Sequence, residues 1–329
     1  MTHAANTLSL VADIGGTNTR VALAEDGRLL PDTITRFRNA EHEGLESVLA
    51  SYLSDHGSPG CADASVALAG PVRDGIGKMT NLDWTIDPDR VARATSAERV
   101  AILNDLQAQG HALGYIAEEK LTCLKRCDTP KDGATRLMVG IGTGFNIAPV
   151  LIETGQRIVA PAEAGHITLP TRTDEDDALS RHLEALHGFP SVEEALSGRG
   201  IAEVARFHSG RSGAPRDWTS AEVIEGAQSG DPVALRAVQH ATRLFGTLVG
   251  DLALIHLCFG GVFIIGGMAR ALAPWLKTPA FAEAMEDKGR FGNLVRDIGV
   301  FLIEDDYAAL VGQARFLSQD RTARKLLSQ

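Results

Sequence analysis

Asp13-Ile14-Gly15-Gly16-Thr17-Asn18-Thr19-Arg20 lies between two apolar runs, Leu8 to Ala12 and Val21 to Ala24, and reads as strand, glycine turn, strand. Adjacent glycines let backbone N–H groups approach an anion with no Cβ in the way, and the Thr and Asn side chains add short polar groups. Such a loop suits a phosphate. Asp13 closes the first strand, where its carboxylate is placed to hold, directly or through water, a Mg²⁺ brought in by a nucleotide. The same stretch also suits a plain Gly-Gly hairpin turn, so a second signal is needed to choose between them.

The rest of the chain narrows the choice. Its 329 residues are long for one core and favour two domains. The composition, 44% hydrophobic and 22% charged, is that of a soluble globular protein. The net charge of −10 and the lack of a basic stripe argue against a nucleic-acid surface. Met1 to Leu8 has no signal-peptide pattern, and the most apolar region, Leu244 to Met268, is interrupted by Asp251, His256 and two Gly-Gly pairs, which excludes a membrane span. The four cysteines, Cys61, Cys123, Cys127 and Cys258, are too scattered for a disulfide framework and fit free thiols in the cytoplasm. Cys123 and Cys127 approach one another only if helical, and no histidine spacing completes a zinc site.

Apolar spacing orders the elements. Thr33 to Arg38 is a third strand; Leu45, Val48, Leu49, Tyr52 and Leu53 line one helix face; Ser65 to Ala69 and Val100 to Leu103 are strands. Asp87-Pro88 opens a helix between those two strands. The order β-β-β-α-β-α-β implies a mixed sheet covered by helices, hence an α/β class. Leu137 to Ile141 then opens a second glycine hairpin, Gly140-Ile141-Gly142-Thr143-Gly144, followed by strands at Ile147 to Ile152 and Arg157 to Val159. It repeats the opening hairpin faintly, as two related halves would. Helices are predicted at Asp174 to His187, Ile201 to His208, Ser220 to Gln228, Pro232 to Leu257 and Ala308 to Leu317, and strands at Gly261 to Ile265 and Val300 to Ile303. The sequence does not decide whether the apolar Pro232 to Leu257 helix is core or interface.

Three glycine turns therefore follow apolar strands: Gly15-Gly16-Thr17, Gly142-Thr143-Gly144 and Gly266-Gly267. With Asn104-Asp105 after a buried strand, Glu163-Ala164-Gly165-His166, and Glu286-Asp287-Lys288-Gly289-Arg290-Phe291, they resemble the zinc-free bacterial glucokinases of the hexokinase and actin-like ATPase superfamily. The resemblance implies a two-domain actin-like, ribonuclease H-like fold around a cleft. Its small α/β domain would cover residues 1–105, completed by a C-terminal helix at 304–329, and its large α/β domain 106–303. It implies an ATP- and Mg²⁺-dependent kinase turning glucose into glucose 6-phosphate, with closure on the sugar, and a homodimer. Asp13, Ile14, Gly15, Gly16, Thr17 and Asn18 resemble the first phosphate loop, Gly142, Thr143 and Gly144 the second, and Gly266 and Gly267 the adenosine-side turn. Asn81, Asn104, Asp105, Glu163, His166 and Glu193 are similar to the residues holding the sugar hydroxyls, with Asp105 the general base and no direct protein metal site. Where the family usually has Leu-Gly after the second loop, this chain has Phe145-Asn146, which bears on sugar preference.

Single residues carry other readings. Asp105 also suits the cap of a helix over Leu106 to Leu113, Glu193 a solvated surface and His166 a core; only the constellation favours a site. Neither a P-loop nor a complete Rossmann fingerprint is present, so phosphate binding falls to the turns and the metal. Two alternatives stay open: a non-catalytic sugar sensor, although the start of the chain leaves no room for the helix-turn-helix of sensing relatives, and a kinase for another hexose.

Overall fold

The computed structural model describes residues 7–79, 82–126, 133–153 and 156–327, with no side chains described for 323–327. Asn81 and Cys127 fall outside the described residues. The chain forms two compact units, Met1–Ile116 with Asp305–Gln329, and Ala117–Glu304.

In the first unit, β1 (Leu8–Ile14), β2 (Asn18–Glu25), β3 (Arg28–Leu29) and β4 (Thr35–Arg38) precede helix α1 (Leu45–Asp55). Strand β5 (Asp63–Leu68), a small sheet of β6 (Val72–Arg73), β7 (Ile76–Lys78) and β8 (Thr85–Ile86), helix α2 (Pro88–Thr95), β9 (Arg99–Asn104) and helix α3 (Asp105–Ala112) follow. The main sheet runs β3-β2-β1-β5-β9, with β4 added to β2. Alternate residues of β1 serve opposite faces. Leu10, Ala12 and Ile14 join the core under Leu45, Val48, Leu49 and Tyr52 of α1, and Val11 joins Leu310 and Leu317 of the C-terminal helix, Ala308–Leu327. All six residues of β5 are buried, as a central strand covered on both faces requires. The unit continues past the break expected at Asp105 to Ile116, because α3 packs on the C-terminal helix.

The second unit contains β10 (Leu121–Lys125), β11 (Arg136–Ile141), β12 (Phe145–Glu153), β13 (Gln156–Val159), β14 (Val262–Ile265) and β15 (Val300–Ile303). Its sheet order is β10-β15-β14-β11-β12-β13. Cys123 lies on β10, so it is on a strand and not on the helix that a paired thiol would have needed. Read from the hairpin side, β13-β12-β11-β14-β15 repeats β3-β2-β1-β5-β9: an antiparallel glycine hairpin whose first strand is followed by two parallel strands. The faint sequence repeat is thus a repeat of topology. Helices α4 (Asp174–His187), α5 (Gly198–Arg211), α6 (Ser220–Ser229), α7 (Pro232–His256), α8 (Gly267–Leu276), α9 (Pro279–Glu286) and α10 (Gly292–Arg296) complete the unit. Helix α7 is core, buried along one face from Ala234 and on all sides from Leu244 to Gly250, and Asp231 caps it through the N–H groups of Val233 and Ala234, both at 2.9 Å. Among the described residues, no helix is long and apolar enough to cross a membrane.

Candidate active site

In the first unit, the site is built at the carboxyl ends of three parallel strands. Ile14 of β1 is level with Leu68 of β5, and Leu68 with Asn104 of β9. The Asp13–Asn18 hairpin and the Asn104–Asp105 pair therefore end one strand apart, about 10 Å at ordinary strand spacing. Ligands of open α/β sheets bind at such strand ends.

The hairpin closes through the Gly15 N–H donating to the Asn18 carbonyl at 2.9 Å, which leaves Gly16 and Thr17 exposed at the tip. Its shape is held from outside by Asn39, whose exposure is only 3%. The Asn39 Nδ2 donates to the Gly15 carbonyl (2.8 Å), its backbone N–H to the Thr17 carbonyl (3.0 Å), and its Oδ1 accepts from Thr19 Oγ1 (2.8 Å). Sequence reading missed Asn39. It reaches the turn because β4 pairs with β2 in the register Asn18↔Arg38, a tertiary fact that no periodicity announces. Asp13 sits opposite Arg20 in the hairpin and pairs with it at 3.3 Å. Burial pushes the Asp13 carboxyl up, against the pull of Arg20.

Asn104, not Asp105, is the cap of α3, and the helix starts at Asp105 and ends at Ala112. Asn104 Oδ1 accepts from Leu106 N at 3.0 Å, Gln107 completes a capping box, and Asn104 Nδ2 donates to the Gly70 carbonyl at 3.1 Å. Oδ1 thus accepts from the N–H groups of both Leu106 and Gln107, and of the two amide hydrogens on Nδ2 one remains for a hydroxyl. Asp105 is half-buried in the first turn, and its Oδ1 accepts from Leu106 N at 2.8 Å.

In the second unit, three segments meet at the other hairpin. The Gly142–Gly144 turn closes through Gly142 N–H to the Gly144 carbonyl at 2.9 Å. The first N–H of α5, on Gly198, donates to the Gly142 carbonyl at 2.8 Å. Gly266 turns from β14 into α8 at φ 117°, which L side chains rarely adopt, and a Cβ there would collide with the Ile141 carbonyl. Two helix N-termini, those of α5 and α8, thus flank one glycine turn; at α5 the Gly198 and Gly200 N–H groups are taken by the Gly142 carbonyl and Ser197 Oγ, so α8 is the end better suited to phosphate. Gly198 was missed in the sequence, although Ser197-Gly198-Arg199-Gly200 ahead of a helix was the available signal.

Glu163, His166 and Glu193 border the same hairpin. Gly165 packs so closely on the Phe145 carbonyl that a Cβ would overlap it. The Ile167 carbonyl accepts from Val192 N at 3.0 Å, joining the Glu163–His166 stretch to the one carrying Glu193. Glu193 is no solvated surface residue: its side chain is 17% exposed, Oε2 accepts from Phe145 N at 2.8 Å and Oε1 from Arg199 Nη2 at 2.7 Å. His166 is exposed and so not a core histidine, and Glu163 is exposed beside it.

Asp176, His240, His208 and Arg243 form another buried cluster, and a cavity of about 470 Å³ beside it is lined in part by Glu175, Arg236 and Trp275. None of the residues predicted for the site lines that cavity. Among the described residues, no group of three or more His, Cys, Asp or Glu is placed to hold a metal.

The glucokinase family model matches residues 10–320. The chain is 33% identical over 309 residues to the glucokinase of Mesorhizobium japonicum, covering 93% of this chain and 90% of that one. It is 32% identical over 314 residues to that of Chromohalobacter salexigens, covering 95% and 98%. Among solved structures, a glucokinase from an Antarctic psychrotroph superimposes with a TM-score of 0.86 at 28% identity, covering 94% of this chain and 98% of that one. The fold is the two-domain actin-like ATPase fold of such kinases, and the chain belongs to the glucokinase family.

Proposed function

We propose that this chain transfers the terminal phosphoryl group of ATP to the 6-hydroxyl of D-glucose, with Asp105 as general base. The observation that carries the proposal is family membership over residues 10–320 together with Asp105 at the carboxyl end of β9, level with the glycine hairpin of β1. A sugar hydroxyl is a weak nucleophile, and phosphoryl transfer needs it deprotonated as it attacks, with the phosphates held in line. Asp105 takes that proton. Asn104 offers its remaining N–H to a hydroxyl, and Glu163, His166 and Glu193, with Asn81, read the others. A site built to hydrogen-bond hydroxyls rejects sugars that lack them.

The glycine turns Gly15–Asn18 and Gly142–Gly144, with Gly266 and Gly267, bind the nucleotide through backbone N–H groups. The residues fit a Mg²⁺ that arrives with ATP: Asp13 is a desolvated carboxylate only partly neutralised by Arg20, and one carboxylate beside phosphates suits this ion. Bound there, Mg²⁺ supplies charge neutralisation on the phosphates.

Coupled ADP release over a panel of hexoses tests the proposal. Glucose is expected to give strong release, and Asp105→Ala to lower turnover about 10²- to 10⁴-fold, the usual worth of a positioned base. Silence on every hexose would overturn the kinase, and a near-normal rate in the variant would remove Asp105 from its role.

A further inference from the structure

Glu163 stands in a segment that one side chain ties to the second glycine hairpin. Asn146 is the second residue of β12. Its Nδ2 donates to the Ala162 carbonyl at 2.6 Å and reaches Glu163 Oε2 at 3.4 Å. Its Oδ1 accepts from Ala164 N at 3.0 Å and from Ile147 N at 2.8 Å. One amide therefore fixes the carbonyl before Glu163 and the N–H after it, and touches the carboxylate between them.

The rest of the segment has its own supports. His166 N donates to the Glu163 carbonyl at 3.2 Å, Ile167 N to the Ala164 carbonyl at 3.4 Å, and Val192 N to the Ile167 carbonyl at 3.0 Å. Removing the Asn146 amide thus loosens the start of the segment and leaves its end paired. Glu163 itself is neither helical nor extended, at φ −131° and ψ 53°, so no regular ladder holds it there. The 3.4 Å approach is at the long limit of a hydrogen bond: it steers the carboxylate while leaving it able to accept from a ligand.

We infer that Asn146 is a positioning residue for Glu163, setting through it the affinity of the sugar site for hydroxylated substrate; the inference rests on Glu163 binding a glucose hydroxyl. Asn146 touches no substrate in this scheme. It aims the carboxylate that does.

Two substitutions separate positioning from support. Asn146→Ala deletes every bond of the amide. Asn146→Asp keeps both accepted bonds and places a second carboxylate against Glu163. The new carboxylate faces the Ala162 carbonyl as well as Glu163, so both roles make Asp harsher than Ala; they separate in the readout, support lowering the thermal midpoint and moving both KM values, positioning raising the glucose constants alone. Glucose Kd by calorimetry, the separate KM values for glucose and ATP, and thermal midpoint are measured on the full chain. Asn146→Ala is expected to raise glucose Kd and KM about tenfold, and Asn146→Asp about thirtyfold, with the ATP KM changed less than about twofold in both. Aspartate milder than alanine, or glucose and ATP constants moving together with the thermal midpoint, would overturn the inference. Wild-type turnover of glucose with unchanged constants in both variants overturns the inference alone. A wild-type protein that neither binds nor phosphorylates glucose overturns the proposed function and this inference with it.

Discussion

Asn39 shows how much of a site can depend on a residue outside every motif. The glycines of the first hairpin permit the turn, but its shape is held by three hydrogen bonds from one buried side chain and its own N–H. Asn39→Ala leaves the Gly15 and Thr19 partners unmet, and each lost bond costs on the order of 1 kcal/mol. The expected outcome is a rise of about tenfold in the KM for ATP with the glucose KM little changed. Steady-state kinetics with each substrate varied in turn decides this, and equal rises in both would show general loosening instead. Asn104 and Asp105 were legible as a pair, but not their division of labour. The chain does not announce that Asn104 is the cap, because Asn and Asp are equally good caps and only the observed bonds choose.

At the scale of elements, helix α4 is fastened to α5 and α7 by the Asp176 cluster. Asp176 is fully buried and accepts from Arg172 N and Thr173 N at its own helix start, and from Arg243 at 2.6 and 3.0 Å. Burial alone would raise its carboxyl; the bonds to His240, Arg243 and Arg172 prevail and hold it well below the usual range. His240 bonds Asp176 at 2.8 Å on one ring nitrogen and His208 at 3.0 Å on the other. Burial, and then the neighbouring His240, push His208 down to about 4 from an ordinary 6.5. The folded chain therefore keeps His208 neutral where the unfolded chain takes a proton. Stability is full above pH 6.5, falls as the pH drops towards 4 and loses no more from this group below that, with a total on the order of 3 kcal/mol. Urea unfolding across this range is expected to show the slope, and His208→Gln to flatten it. An equal slope in the variant would assign the acid sensitivity to other groups.

At the scale of the molecule, the first unit is made from both ends of the chain. Asp63 of β5 is buried and bonded to Arg99 of β9 and to Arg321 of the C-terminal helix, whose Nε lies at 3.1 Å. Arg321 also reaches Ser9 Oγ of β1 at 3.2 Å. This one side chain ties the last helix to the first strand. Arg321→Met keeps most of the apolar stem and removes the charge-assisted bonds, so a loss of about 2 kcal/mol is expected, measured by denaturant midpoint. Loss within a few tenths would mean that Arg99 alone satisfies Asp63.

By itself, the sequence determined the order of the longer strands and of most long helices, the two glycine hairpins, and the family. Those depend on apolar periodicity, on turns that need glycine, and on motifs spread from Asp13 to Phe291, all of which are local in the chain. Of the helices, α4 has the predicted ends and α7 stops one residue short, at His256, whereas α8, α9 and α10 were not read at all. Local signals fade where an element depends on partners. Strand β10 was missed because it exists by pairing with β15, and the C-terminal helix runs past Leu317, where the apolar spacing ends, to Leu327, with Arg321 bonded to Asp63 and Ser9. Only the tertiary structure set Asn39 beneath one glycine turn, Gly198 and Gly266 around the other, and Asn146 on both sides of Glu163. Each of these is a contact between residues far apart in the chain, fixed by sheet register and close backbone packing, which residue types at short spacing do not encode.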